Sequence, residues 1–322
     1  MFTPSMSSVT YRHPSPSDLD AITEVLNKSR AEIPFYPALA PEELNIETFL
    51  DKDYDLNGVW LAFADDLMVG YAHGLVEKAR LAAGMDDGWV SVEVAPDHRR
   101  QGIEQELMKR VLEYLLSRGV SQASCGRTHQ EPWRTALAVE FGFEGVRHYF
   151  RMKWTGEVPP AMDPLPDGYE LEKMVFKEAT DAQVRETVDA LNESFSGHFN
   201  FVPQTPEKTM MWRDEGRDYF RIAVSRKLGR VTGLCMSGEF APPSGSEGKL
   251  VGWISALGVV GPHRRKGLGG ALLSEGMRWA FDRGHHTMYI ELDAENQKAL
   301  TLYTSKGFVV DKEDIYYRKG LR

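Results

Sequence analysis

Arg264-Arg265-Lys266-Gly267-Leu268-Gly269-Gly270 has the make-up of an anion cradle. It follows an apolar run, Trp253 to Val260, and precedes an amphipathic stretch, Ala271 to Arg283. A strand, a basic glycine-rich turn and a helix start, in that order, bring backbone N–H groups and the positive end of a helix dipole to one point. Glycine lets the backbone come close to whatever is bound there. The chemistry this suits is the holding of a pyrophosphate. The spacing Arg264-x-x-Gly267-x-Gly269 is not that of a nucleotide P-loop, because no Gly-Lys-Ser/Thr follows. It also lacks the leading glycine pair of the dinucleotide fingerprint.

The pattern resembles the acetyl-CoA loop of the GCN5-related N-acetyltransferases (GNAT). Asn296-x-x-Ala299-x-x-x-Tyr303-x-x-x-Gly307-Phe308 resembles that family's last helix and the turn into the next strand. The resemblance implies acetyl-CoA as cosubstrate, held by Leu257, Val259, Arg264, Arg265, Lys266, Gly267, Leu268, Gly269, Gly270, Asn296 and Tyr303. It implies a bulge at Leu257 to Val259 that turns backbone groups toward the pantetheine arm, the Val259 N–H polarising the acetyl carbonyl. It implies that Asn296 hydrogen-bonds that arm and that the Tyr303 hydroxyl protonates the departing thiolate. A phenol of pKa about 10 stays protonated at neutral pH and can serve a thiolate whose conjugate acid has a pKa of about 8.5. Without the resemblance, Tyr303 reads equally as a core tyrosine and Asn296 as a helix cap.

The general base is less clearly marked. Many family members carry a Glu on the strand before the loop, whereas Gly252-Trp253-Ile254-Ser255-Ala256 holds no carboxylate. Glu239, at the end of Ser237-Gly238-Glu239-Phe240, is the nearest substitute and is expected to complete a catalytic pair with Tyr303. His198, in the aromatic loop Ser194 to Phe199, is the second candidate.

The elements that must position these groups occur twice. His98-Arg99-Arg100-Gln101-Gly102 mirrors His263-Arg264-Arg265-Lys266-Gly267 at an offset of 165 residues. The same offset carries Val94 onto Val259, Leu107 onto Leu272, Arg118-Gly119 onto Arg283-Gly284 and Gly142-Phe143 onto Gly307-Phe308, without a gap. Between the halves, Gly156 to Gly168 contains four prolines and reads as an extended, semi-rigid linker. The expected organisation is residues 1–155, a linker 156–167, and residues 168–322. Alternating runs predict antiparallel pairs at Val59 to Ala64 with Val69 to Leu75, and at Phe220 to Val224 with Val231 to Ser237. Ile103, Leu107, Val111 and Leu115 predict a helical stripe, as do Leu268, Leu272 and Gly276. The resemblance implies an α+β fold: two tandem GNAT domains, each a mixed, mostly antiparallel sheet flanked by helices. The sheet would splay between the strand before the loop and the strand after its helix.

The copies differ where the chemistry would be. Glu104, Gln105, Glu131 and Ala138 stand where the second copy has Gly269, Gly270, Asn296 and Tyr303. A carboxylate in the first turn satisfies the dipole itself and repels phosphate. The first copy is therefore expected to be degenerate and non-catalytic, and residues 168–322 to be the working domain. Tandem copies of this kind are similar to the mycothiol synthases, which acetylate the amine of a cysteine-glucosamine-inositol conjugate.

Composition bounds the rest. With 322 residues the chain has room for two cores. A net charge of −9 disfavours nucleic-acid binding and mildly favours cationic acceptors. Two cysteines, Cys125 and Cys235, and no His/Cys ligand spacing argue against a disulfide framework or a metal centre. No signal peptide or membrane span is expected, so the expected location is the cytoplasm, and a monomer is compatible with the sequence. The reading is an N-acetyltransferase acting on a small primary amine. The rivals are a peptide N-acetyltransferase, a mycothiol synthase and a non-catalytic acyl-CoA sensor.

Overall fold

The structure, a computed structural model, describes residues 8–33, 38–51, 54–126, 132–214, 221–240 and 250–322. Phe220 and Glu131 lie outside the described residues. The chain divides into two compact units, Met1–Arg147 with Pro243–Gly245 and Asp314–Arg322, and His148–Pro242 with Ser246–Glu313.

The first half contains β1 (Val9–Arg12), α1 (Leu19–Arg30), α2 (Pro41–Glu47), β2 (Val59–Ala64), β3 (Leu67–Leu75), α3 (Lys78–Ala82) and β4 (Asp87–Val94). It continues with α4 (Ile103–Ser117), β5 (Gln122–Gly126), α5 (Pro132–Glu140) and β6 (Glu144–Thr155). The second half repeats the pattern with β7 (Glu170–Val175), α6 (Asp181–Phe195), α7 (Pro206–Asp214), β8 (Arg221–Lys227), β9 (Arg230–Phe240) and β10 (Val251–Val259). Then come α8 (Leu268–Asp282), β11 (Thr287–Asp293), α9 (Gln297–Ser305) and β12 (Val309–Gly320). Both predicted hairpins form, one turning at Asp65 and the other at Leu228-Gly229, where φ is +51° and +78°. Two successive residues at positive φ match the strand twist of a tight hairpin.

Among the described residues the strands of each unit run antiparallel except for one parallel pair, β4 with β5 and β10 with β11. That is the mixed, mostly antiparallel sheet that the resemblance implies. Each unit's final strand comes from the other half of the sequence. β6 pairs with β11 from Thr155↔Thr287 to Tyr149↔Asp293. β12 pairs with β5 from Gly320↔Gln122 to Tyr316↔Gly126.

The helical stripes are core. Ile103, Leu107, Val111 and Leu115 pack in one cluster, and Leu272, Leu273 and Met277 pack in another with Ile254 and Ile290. Gly276 is the tightest point of the second interface, since a Cβ there would lie 2.6 Å from both Cys235 Sγ and Ser237 Oγ. Both neighbours are buried. The position 165 residues earlier is Val111. Gly276→Val should therefore cost about 1–3 kcal/mol by overpacking, although the first copy carries that side chain, and denaturant unfolding would read the loss.

Residues 156–167 carry no helix or strand and lie along α8 within the second unit. The Gly156 N–H donates to the His286 carbonyl and the Asp163 N–H donates to Ser274 Oγ. Arg278 donates to the Pro160 carbonyl, and Lys306 pairs with Asp163 at 2.6 Å.

Candidate active site

β10 carries a bulge, and it falls at Ser255 rather than at Leu257 to Val259. The register against β9 shifts between Ile254↔Ser237 and Ala256↔Met236. The cause is visible in the packing. Ile254 and Leu257 both face the α8 cluster, although three residues apart, and a period of two allows this only if one residue is extra. β4 of the first copy pairs with β3 from Trp89 to Val94 without a shift.

Pairing of β10 with β11 ends at Ile254↔Ile290, so the two strands part beyond that point. The Val260 N–H donates to the Thr232 carbonyl on β9. By alternation the Val259 N–H points the other way, into the opening. A cavity of about 270 Å³ fills this opening. It is bounded by the end of β10 (Leu257, Gly258, Val259), by Arg264, Arg265, Leu268 and Gly269, by the α6 end (Ser194, His198), and by α9 with its cap.

The loop into α8 is a ring of N–H groups. Arg265 has φ +63° and Gly267 has φ +90°, the left-handed turns that aim successive amides inward as an anion nest. Among the described residues no acceptor takes up the N–H groups of residues 265 to 270. The side chains of Arg264 and Lys266 have other partners. Arg264 Nε donates to the Val259 carbonyl at 2.8 Å and its Nη2 to the Ser194 carbonyl at 2.8 Å. Arg99 makes the same two bonds in the first copy, to Val94 and Ser29. This arginine is thus a strut that ties the strand end to the preceding helix. Lys266 Nζ donates to the Pro262 carbonyl.

α9 presents Ala299, Leu302 and Tyr303 to the cavity, with Lys298. Tyr303 is only 6% exposed, and burial raises its hydroxyl pKa well above the usual range, with a smaller push from Cys235. Asn296 caps α9, its carbonyl oxygen accepting the Ala299 N–H at 3.2 Å, and it also lines the cavity with its NH2 left to donate. His198 lies in the same cavity. Burial lowers its pKa and the Arg264 charge lowers it further, against a smaller opposing pull from Asp293, which favours the neutral imidazole. Ser194 is buried beside it, and among the described residues its hydroxyl has no partner.

Four of the expected site residues do not line the cavity: Lys266 and Gly267 stay in the loop beside it, and Glu239 and Gly270 are turned elsewhere. Glu239 is paired with Gly252 near the start of β10, and its carboxylate is held by Arg283 and by His285 at 2.7 Å. The Arg283 hydrogen bond, chiefly, keeps it ionised below its usual pKa, and it does not line the cavity. Gly270 faces the linker, where a Cβ would meet the Asp163 carboxylate at 2.2 Å. Sequence reasoning missed Ser194, His263, Lys298, Ala299 and Leu302 as lining residues. The last three were within reach, because they share the face of α9 set by Asn296 and Tyr303.

The first copy shows how such an opening closes. Glu104 Oε1 accepts the Arg100 N–H at 2.7 Å, so the helix's own carboxylate sits on the nest. Glu93, at the position of Gly258, is fully buried and ion-paired with Arg30, at 3.0 Å, and with Arg134. Arg99 stacks 4.5 Å over Trp133. A buried charge needs its partners in place, so this cluster is costly to open.

A family profile described as "Acetyltransferase (GNAT) family" matches residues 24–143 and again 184–308. The chain belongs to the GNAT family. As a tandem GNAT protein it is 26% identical over 307 residues to the mycothiol acetyltransferase of Salinispora arenicola, covering 94% of each chain. It is 28% identical over 262 residues to that of Thermobifida fusca, covering 75% of this chain and 80% of the relative. Among solved structures, the GCN5-related N-acetyltransferase from Sphaerobacter thermophilus aligns with a TM-score of 0.70 at 25% identity, over 98% of this chain and 96% of that one. A tandem GNAT protein from the clavulanic acid biosynthesis pathway aligns with a TM-score of 0.72 at 12% identity, over 98% and 99%, which shows the shared fold. The protein is thus an acyl-CoA N-acetyltransferase of the GNAT type.

Proposed function

We propose that the second unit binds acetyl-CoA and transfers its acetyl group to the primary amine of a small molecule by direct attack. The observation that carries this is the single cavity joining the strand end at Val259, the anion nest at Arg265 to Gly269, and Tyr303. The N–H groups of residues 265 to 269 hold the pyrophosphate, and the helix dipole adds to their charge. Asn296 donates to the pantetheine arm. The Val259 N–H donates to the thioester oxygen as negative charge grows there. The amine nitrogen attacks the carbonyl carbon, the C–N bond forms and the C–S bond breaks. His198 takes the proton that the ammonium must lose, in place of Glu239, whose carboxylate is engaged away from the cavity. Tyr303 gives its proton to the leaving sulfur and regains one from the proton that the attacking nitrogen sheds as the amide forms. The first unit, whose nest is occupied by Glu104, serves as scaffold and binds no acetyl-CoA.

The test is CoA-thiol release from acetyl-CoA against a panel of amines, polyamines and peptides, with calorimetry for the number of acetyl-CoA sites. One site per chain and turnover of a small amine are expected. Two sites, or binding without turnover of any amine, would overturn the reading. If His198 is the base, kcat/KM falls as pH drops, because protonation removes the base. The midpoint should lie below the ordinary histidine value of about 6.5, since burial lowers this pKa. His198→Asn should abolish that limb of the profile. The relatives supply a second reading, a mycothiol-type acceptor, favoured by a match covering 94% of both chains.

A further inference from the structure

Asn296 caps α9 and Tyr303 lies within it, whereas the nest stands at the start of α8. How α9 is set against α8 therefore decides where the tyrosine meets a molecule held by the nest. At the cavity the seam between the two helices is close, since a Cβ on Gly269 would lie 3.4 Å from Leu302. Outside the cavity lining the seam is filled by a segment of neither helix. The Asp163 carboxylate, from the linker, occupies the space over Gly270, where a Cβ would lie 2.2 Å from its Oδ2. Its other oxygen, Oδ1, pairs with Lys306 Nζ at 2.6 Å. Lys306 is the C-cap of α9, one turn beyond Tyr303, and its N–H donates to the Tyr303 carbonyl.

Ser274, on α8, closes the cluster. It is fully buried, and its hydroxyl donates to the Gly270 carbonyl at 2.8 Å. The same oxygen accepts from the Asp163 N–H at 3.2 Å and from Lys306 Nζ at 3.0 Å. A serine hydroxyl has one donor and two acceptor sites, so all of them are used. The Lys306 side chain is only 11% exposed, which makes its carboxylate partner a need rather than a surface pair of little worth. The linker continues past the nest, with Pro166 3.6 Å from where a Cβ on Gly267 would stand.

The first copy joins its helices differently. Gln105 and Glu140, at the positions of Gly270 and Ser305, bond directly, Gln105 Nε2 donating to Glu140 Oε2 at 3.1 Å. Lys109 and Phe141 stand where the second copy has Ser274 and Lys306. Of the two copies, the one that carries the glycine, the serine and the lysine is the one that keeps Tyr303.

We propose that Asp163 and Lys306 are positioning residues. The linker carboxylate, wedged against Gly270, fixes α9 on the first turn of α8 and so holds the Tyr303 hydroxyl at the leaving sulfur. This rests on the transferase reading above, in which Tyr303 is the acid, and it makes the linker a working part of that site.

The experiment measures CoA release and acetyl-CoA affinity for Lys306→Met, Asp163→Asn and Tyr303→Phe, singly and combined. Lys306→Met keeps a long side chain without the ammonium, and Asp163→Asn keeps the shape without the charge. Each should lower kcat at least about tenfold, since a misplacement of about 1 Å can cost about a hundredfold. Acetyl-CoA affinity, read by calorimetry, should stay close to the parent's, because the nest stands on α8, and this also reports folding. In the Tyr303→Phe background neither substitution should slow turnover further, because the donor that they position is already gone. A general weakening of the fold would instead lower kcat in both backgrounds. Lys306→Arg, which keeps the charge, should restore most of the turnover lost in Lys306→Met. Parental kcat in Lys306→Met and Asp163→Asn, beside a slow Tyr303→Phe, overturns the inference and leaves the transferase reading intact. So does an equal fall in both backgrounds, or a loss that appears in acetyl-CoA affinity instead of kcat. A parental rate for Tyr303→Phe itself would overturn the acid role on which the inference rests.

Discussion

Tyr303→Phe is expected to turn over more than about tenfold more slowly than the parent, with acetyl-CoA affinity unchanged. The ring is one wall of the cavity and packs with Phe308 at a centroid distance of 6.2 Å, so removing one oxygen leaves the wall in place. Burial keeps the hydroxyl protonated across the working pH range, which suits a proton donor and not a base. Among the described residues it has no hydrogen-bond partner whose loss would loosen the fold. The effect should appear in kcat and in kcat/KM together, because the interaction is made only as the sulfur gains charge. Calorimetry with acetyl-CoA and a pre-steady-state rate for CoA release would separate the two. A chemical step as fast as the parent's would remove Tyr303 from the acid role.

Gly269→Glu should weaken acetyl-CoA binding by at least about a hundredfold, equivalent to about 2.7 kcal/mol. The substitution copies Glu104, whose carboxylate takes the Arg100 N–H that a phosphate would need. Backbone strain is not the cause, since φ at Gly269 is not positive and a Cβ would make an ordinary 3.4 Å contact with Leu302. The loss comes from two sources: the nest is filled from within, and a negative charge faces the pyrophosphate. Gly269→Gln separates them, keeping the bulk without the charge, and should be weakened to a lesser degree. Binding of Gly269→Glu at parental affinity would mean that the loop does not hold the cosubstrate. Gly267→Ala is a different case. Its φ of +90° is one that side-chain-bearing residues rarely adopt, so that variant disturbs the loop whatever is bound.

The repeat was legible residue by residue, and the structure extends it to contacts no motif names. Asn27 brackets Leu39 through its amide and backbone, and Asn192 brackets Gln204 in the same way 165 residues later. The Arg-Arg-x-Gly motif survives in both copies because its first arginine is a strut and its glycine has a left-handed backbone, needs that exist with or without a ligand. Other features were not legible. Glu239 was the nearest carboxylate along the chain. Its side chain is drawn toward Arg283 and His285, and a sequence does not show which cation a strand-end carboxylate will reach. The bulge at Ser255 was placed two residues late, because its position follows from which side chains must share a face.

What the sequence by itself determined is the local chemistry: strand, nest and helix start at Arg264 to Gly270, the tyrosine and asparagine on one helix, and the loss of these groups in the first copy. Each depends on neighbours in the chain, through glycine's backbone freedom, helix periodicity and the charge of a first-turn residue. Only the tertiary structure decided that β6 and β12 complete each other's units, that Gly270 serves the linker, and that His198 shares a cavity with Tyr303. These are pairings between residues far apart in the chain. They are chosen by competition among many strands and side chains for the same surfaces, which no local pattern encodes.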